Sequence, residues 1–96
     1  MAKSILQSEK KCFITGSTEN LDLHHIYFGA NRRISEENGF WVWLRHDYHI
    51  ADSPNKTPHN CRMTDLCLKE MCQREYEKTH SREEFIALIG RNYLED

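Results

Sequence analysis

From Glu19 to Tyr27 the chain alternates in the period-two pattern of a short strand, with Leu21, Leu23 and His25 on one parity and Asp22, His24 and Ile26 on the other. A second strand is expected over Phe40–Leu44, dense in Trp41, Val42 and Trp43 and entered through Asn38-Gly39, a dipeptide that accepts positive φ. Together they predict a hairpin with a long connecting loop, Phe28 to Gly39. Loops of that length tend to carry function, and this one holds Asn31, Arg32 and Arg33. The stretch from Asp47 to Lys56 is polar and turn-like. Thr57-Pro58 then offers a capping hydroxyl followed by a proline suited to a first helical turn, so a helix is expected from there to about Lys78. Met63, Leu66, Cys67, Met71 and the stem of Arg74 can line one stripe of it, with Lys69, Glu70 and Glu77 outside. Ser81-x-x-Glu84 is a capping box that opens a second helix, Arg82 to about Ile89, stopped by Gly90. The expected order is strand, loop, strand, helix, helix, an α+β fold.

Length makes this one domain over residues 1–96 with one small core, whose stability can lean on a metal or a second chain. Thirteen Lys and Arg against 15 Asp and Glu leave a net charge of −2, which argues against a general basic coat for nucleic acid while leaving room for a local basic strip. No run of 18 apolar residues occurs, and Met1 to Gln7 is too short and polar for a secretory signal. A soluble, cytoplasmic protein with reduced thiols is therefore expected. Cys12, Cys61, Cys67 and Cys72 form no Cys-x-x-Cys pair, and no disulfide framework is read from them; on a helix, Cys67 and Cys72 point too far apart to share a zinc. Their simplest role is as small packed hydrophobes.

Histidine usage is the sharpest signal. Of six histidines, His24, His25, His49 and His59 fall in or beside the junction between hairpin and helix, whereas His46 and His80 sit among polar residues and read as surface side chains. Ligands from a strand end, a following turn and a helix start converge readily on one ion, and Asp22, two residues before His24, is placed to orient an imidazole from behind. In the adjacent pair, one imidazole can bind metal while the other takes a proton from water, the two tasks that phosphodiester hydrolysis requires. Imidazole-rich sites accept zinc, manganese, magnesium or nickel, so the expected cofactor is one divalent ion of unspecified identity.

The stretch LDLHHIYFGANRRISEENG, followed by FWVWLRHDYH and the histidine of TPHN, resembles the His-Asn-His (HNH) endonuclease family. Cys12-Phe-Ile-Thr-Gly, Asn31-Arg32-Arg33 and the tail REEFIALIGRNYL extend the likeness, over about residues 9 to 94, to a subgroup of small phage and prophage HNH proteins similar to recombination nucleases. The resemblance implies a ββα-metal core over about 12–79 and a carboxy-terminal helix over about 81–90. It implies His24 as a metal ligand, His25 as the general base, His49 as the ligand after the second strand, and His59 as a further ligand or a phosphate contact. Asp22 would orient the site, and Asn31 and Arg32 would hold the loop and grip a phosphate, a task suited to the forked guanidinium. The chain departs from the family in two places. Thr15 stands where the first structural-zinc pair needs its second cysteine, with Arg45 and Tyr48 in place of the second pair, so no structural zinc is expected. Only Asn38 stands near the position of the middle asparagine.

Two function classes follow. One is a metal-dependent endonuclease acting on DNA, with a recombination or replication protein as a further partner and no membrane. The other is a metal-stabilised adaptor that binds nucleic acid or protein without useful catalysis, and beyond it lies a structural protein with core histidines. His25 separates the first two, since an adaptor needs no base beside His24.

Overall fold

The computed structural model describes residues 1–94. It is an α+β fold whose ordered elements are β1 (Leu21–His25), α1 (Arg32–Asn38), β2 (Trp41–Arg45), α2 (Arg62–Tyr76) and α3 (Arg82–Ile89), with short 3-10 turns at Gly29–Asn31 and His46–Tyr48. β1 and β2 pair antiparallel in a two-stranded sheet, with His24 opposite Val42, Asp22 opposite Leu44 and His25 opposite Trp41. Pleat alternation puts His24 on the face of Val42 and Leu44, which are fully buried, and His25 on the face of Trp41 and Trp43.

The connection between the strands departs from the expected loop, because Arg32–Asn38 is helical. It carries a single apolar residue of core type, Ile34, which hides its periodicity, while Arg33 pairs with Glu37 at 2.8 Å in the i,i+4 spacing of a helix surface. What docks it is a hydroxyl. Ser35, wholly buried, donates to the Tyr27 carbonyl at 2.6 Å and accepts from the Tyr27 amide at 3.3 Å, satisfying the backbone just beyond β1. The helix ends at Gly39 in the left-handed region, φ 75°, where a Cβ would also collide with the Lys3 carbonyl oxygen. The amino-terminal strap is laid along this corner: the Ala2 amide donates to the Glu36 carbonyl and the Ile5 amide to the Gly39 carbonyl, each at 3.0 Å.

Two expectations for the long helix are corrected. It starts at Arg62, not at Thr57-Pro58, because the Thr57 hydroxyl and carbonyl close a single separate turn: the hydroxyl accepts from the His59 and Asn60 amides at 3.2 Å and the carbonyl from Cys61 at 2.9 Å. Its buried stripe is Leu68, Lys69, Cys72, Gln73 and Tyr76, while Met63 and Met71 are 75% and 44% exposed and Cys67 is also exposed. Polar partners explain the inversion. Gln73 donates to Glu77 and Asn92 and accepts from the Tyr93 amide, and the Lys69 ammonium meets Asp65 at 2.8 Å, so both polar side chains tolerate burial. Tyr27, Phe40, Tyr76 and Phe85 form the aromatic centre of the core, with ring centroids between 5.5 and 6.2 Å apart. α3 has the expected bounds, and both hydrogen bonds of the Ser81–Glu84 capping box are present. All four cysteines are free; Cys12 and Cys72 are buried, whereas Cys61 and Cys67 are not. No helix among the described residues is long and apolar enough to cross a membrane.

Candidate metal centre

Three separate pieces of backbone deliver the histidines. His24 comes from β1 and turns inward with the core face of the sheet; His49 follows the 3-10 turn that closes β2; His59 rides on the Thr57 turn ahead of α2. The segment between the last two is tied up by Asn60, whose amide nitrogen donates to the carbonyls of Ala51, Ser53 and Asn55. His24, His49 and His59 each offer a ring nitrogen, and the three nitrogens lie within 4.8 Å of one another, close enough to hold one metal ion. Their ring centroids are 4.9 to 5.3 Å apart.

The donor set fits a cation. The Nε2 atoms of His49 and His59 are 3.3 Å apart. One ring can bond the other across that distance, which is also close to the roughly 3.3–3.4 Å separation of two imidazole nitrogens on a tetrahedral zinc with bonds of about 2.0–2.1 Å. His24 Nε2 is buried without a hydrogen-bond partner, a costly state for a polar atom unless something occupies the space before it. His49 is fixed from behind, its Nδ1 bonded at 3.0 Å to Asp22 Oδ2, which leaves Nε2 to face the cluster. Electrostatics agree. Burial, reinforced by the neighbouring His49 and His59, pushes His24 down to about 3, and burial with His49 also lowers His59. Both are therefore neutral, with lone pairs free, at ordinary pH. Burial alone would raise the Asp22 carboxyl, but the bonds from His46 and His49 outweigh it and hold the group below its usual range.

His25 stands apart from the cluster. Its Nε2 meets Glu36 Oε1 of α1 at 2.9 Å, and its side chain is only 14% exposed. It shares with His24, His49, His59, Phe28 and Arg32 the wall of a shallow depression of about 500 Å³. Arg32 thus reaches the site, its Nε 3.9 Å from the same Glu36 oxygen. Asn31 is directed elsewhere: its amide donates to the Ile89 carbonyl at the end of α3, at 3.0 Å, and so ties the inter-strand connection to the carboxy-terminal helix. Asn38 donates to the Ile34 carbonyl within α1. Behind the cluster, Lys69 Nζ lies 4.4 Å from the centroid of the Phe28 ring while bonded to Asp65.

Two contributors escape a reading of the residues alone. His46 is 60% exposed, as expected for a surface side chain, yet its Nδ1 bonds Asp22 Oδ2 at 2.8 Å; its spacing of three from His49 across a tight turn is the signal that both address one carboxylate. Glu36 becomes visible only once Arg32–Asn38 is known to be helical. At the amino-terminal turn Cys12 Sγ accepts the Thr15 amide at 3.4 Å, and Arg45 is engaged by Asp47, so an ion pair stands beside this turn. No family model matches the chain, and no curated protein or solved structure is significantly similar to it.

Proposed function

We propose that this protein is a metal-dependent endonuclease of the HNH type that hydrolyses DNA phosphodiester bonds, with β1, β2 and the approach to α2 forming a ββα-metal unit. The observation that carries the reading is the division of labour between adjacent histidines: His24, whose buried Nε2 has no partner, offers a ring nitrogen close to those of His49 and His59, while His25 stays outside that group on the wall of the same depression. A bound divalent cation would supply positive charge to the scissile phosphate and the leaving oxygen in the transition state. The chain supplies the rest. His24, His49 and His59 are the ligands, with Asp22 fixing the ring of His49. His25 accepts the proton of the water whose oxygen attacks phosphorus, as one P–O ester bond breaks to leave a phosphate monoester end and a hydroxyl end. Arg32, largely exposed at the rim, presents its fork to a phosphate oxygen, and Asn31 holds the connection that carries Arg32. The resemblance to small phage and prophage proteins supports DNA processing as the setting, with a recombination or replication protein as the partner that brings the substrate.

The test is nicking of supercoiled plasmid with manganese or magnesium, with metal content measured on every variant. His25→Ala should keep its metal and fold while cleavage falls by about 10²–10⁴, the usual scale of a lost acid–base group. His24→Ala should lose metal and activity together. Wild-type cleavage no faster than buffer would overturn the nuclease reading in favour of a metal-stabilised adaptor, and loss of metal from His25→Ala would reverse the allocation of the two histidines.

A further inference from the structure

A histidine that takes a proton from water must present one ring nitrogen as an acceptor and be kept from rotating, so the partner of its other nitrogen decides whether it works. In this chain that partner is not an asparagine, for Asn38 bonds within its own helix, donating to the Ile34 carbonyl. The atom facing His25 Nε2 is Glu36 Oε1 at 2.9 Å. A carboxylate only accepts, so the contact requires the proton to sit on Nε2, and the neutral ring is left with Nδ1 as its acceptor.

Resting on the nuclease reading above, we infer that Glu36 is the positioning residue of His25, holding it in the Nε2–H tautomer with Nδ1 free to receive the proton of water. The surrounding structure anchors the backbone that carries Glu36, whose side chain is 41% exposed. Ser35, its neighbour, is locked to both backbone groups of Tyr27, and the Glu36 carbonyl accepts the Ala2 amide at 3.0 Å. Arg32 Nε approaches the same carboxylate oxygen at 3.9 Å, so one glutamate is shared between the base and the arginine at the rim. Glu37, the next residue, does something different: it pairs with Arg33 at 2.8 Å, and both are well exposed. The inter-strand helix therefore has an assignable job, which is to carry this carboxylate to the end of β1.

The experiment compares wild type, Glu36→Ala, Glu36→Gln and the control Glu37→Ala. Each is assayed for plasmid nicking with manganese, and the zinc-loaded proteins are examined by long-range ¹H–¹⁵N imidazole spectra at alkaline pH. Glu36→Ala should lower kcat by about 10–100-fold with KM and metal content unchanged, the scale of losing a partner that orients a working histidine. His25 should change from a single Nε2–H tautomer to a mixture. Glu36→Gln, which keeps an acceptor oxygen, should recover part of the rate, and Glu37→Ala should match wild type. A His25 tautomer unaffected by Glu36→Ala, or a kcat within twofold of wild type, would overturn the assignment. If no protein cleaves DNA, the nuclease reading fails, whereas the tautomer comparison still decides whether Glu36 fixes His25.

Discussion

His24 is the residue whose environment is hardest to explain without a ligand, being 1% exposed with an unpartnered ring nitrogen. Its burial also makes a prediction that needs no metal. The folded state holds His24 near 3, while an unfolded imidazole titrates near 6.5. Between those values the unfolded chain binds a proton that the folded chain refuses. The stability associated with neutral His24 is thus fully present above about pH 6.5 and drains away as the pH falls toward about 3, with a slope of up to about 1.4 kcal/mol per pH unit. In metal-free protein, His24→Gln removes that component, so the stability difference between wild type and variant should narrow as urea unfolding is repeated from pH 7 down to pH 4.5. A difference that stays constant over that range would mean that His24 titrates normally in the fold. The cluster itself was legible in the sequence because four of the six histidines crowd the junction between hairpin and helix, although His59, expected at a helix start, rides on a separate turn ahead of α2. The bond between His25 and Glu36 was not, since side chains eleven positions apart meet only through a helix that apolar periodicity does not reveal.

At the scale of elements, the sequence was most readable where local chemistry decides the outcome. The Ser81 capping box and Gly90 mark both ends of α3, alternation marks β1 to within two residues at each end, and the dense run at Trp41, Val42 and Trp43 marks β2 to within one. It was least readable where a polar side chain does the packing. α1 is docked by Ser35 and α2 is buried on Lys69 and Gln73, and a reading that seeks core among apolar residues passes over all three and chooses Met63 and Met71 instead. Ser35 gives the direct check. Ser35→Ala strands the buried amide and carbonyl of Tyr27 and should cost about 1–3 kcal/mol in urea unfolding. If the proposed nuclease reading holds, it should also reduce nicking by loosening the helix that carries Glu36 and Arg32. A loss below about 0.5 kcal/mol would show that α1 is held by its neighbours and not by that hydroxyl.

Seen whole, the molecule is a small core of aromatic and aliphatic side chains with a histidine cluster set where three chain segments meet at its edge. A cation there would cross-link β1, the turn after β2 and the turn before α2, so metal binding and folding should be coupled in a domain of this size. Its net charge of −2 gives no long-range attraction to a polyanion. The most direct test of the metal centre is X-ray absorption at the zinc edge of protein loaded with one equivalent of zinc. Three imidazole nitrogens at about 2.0–2.1 Å, with a remaining oxygen donor and no sulfur, is the expected result. Sulfur in the first coordination sphere, or fewer than two imidazoles, would place the ion away from His24, His49 and His59 and contradict the account.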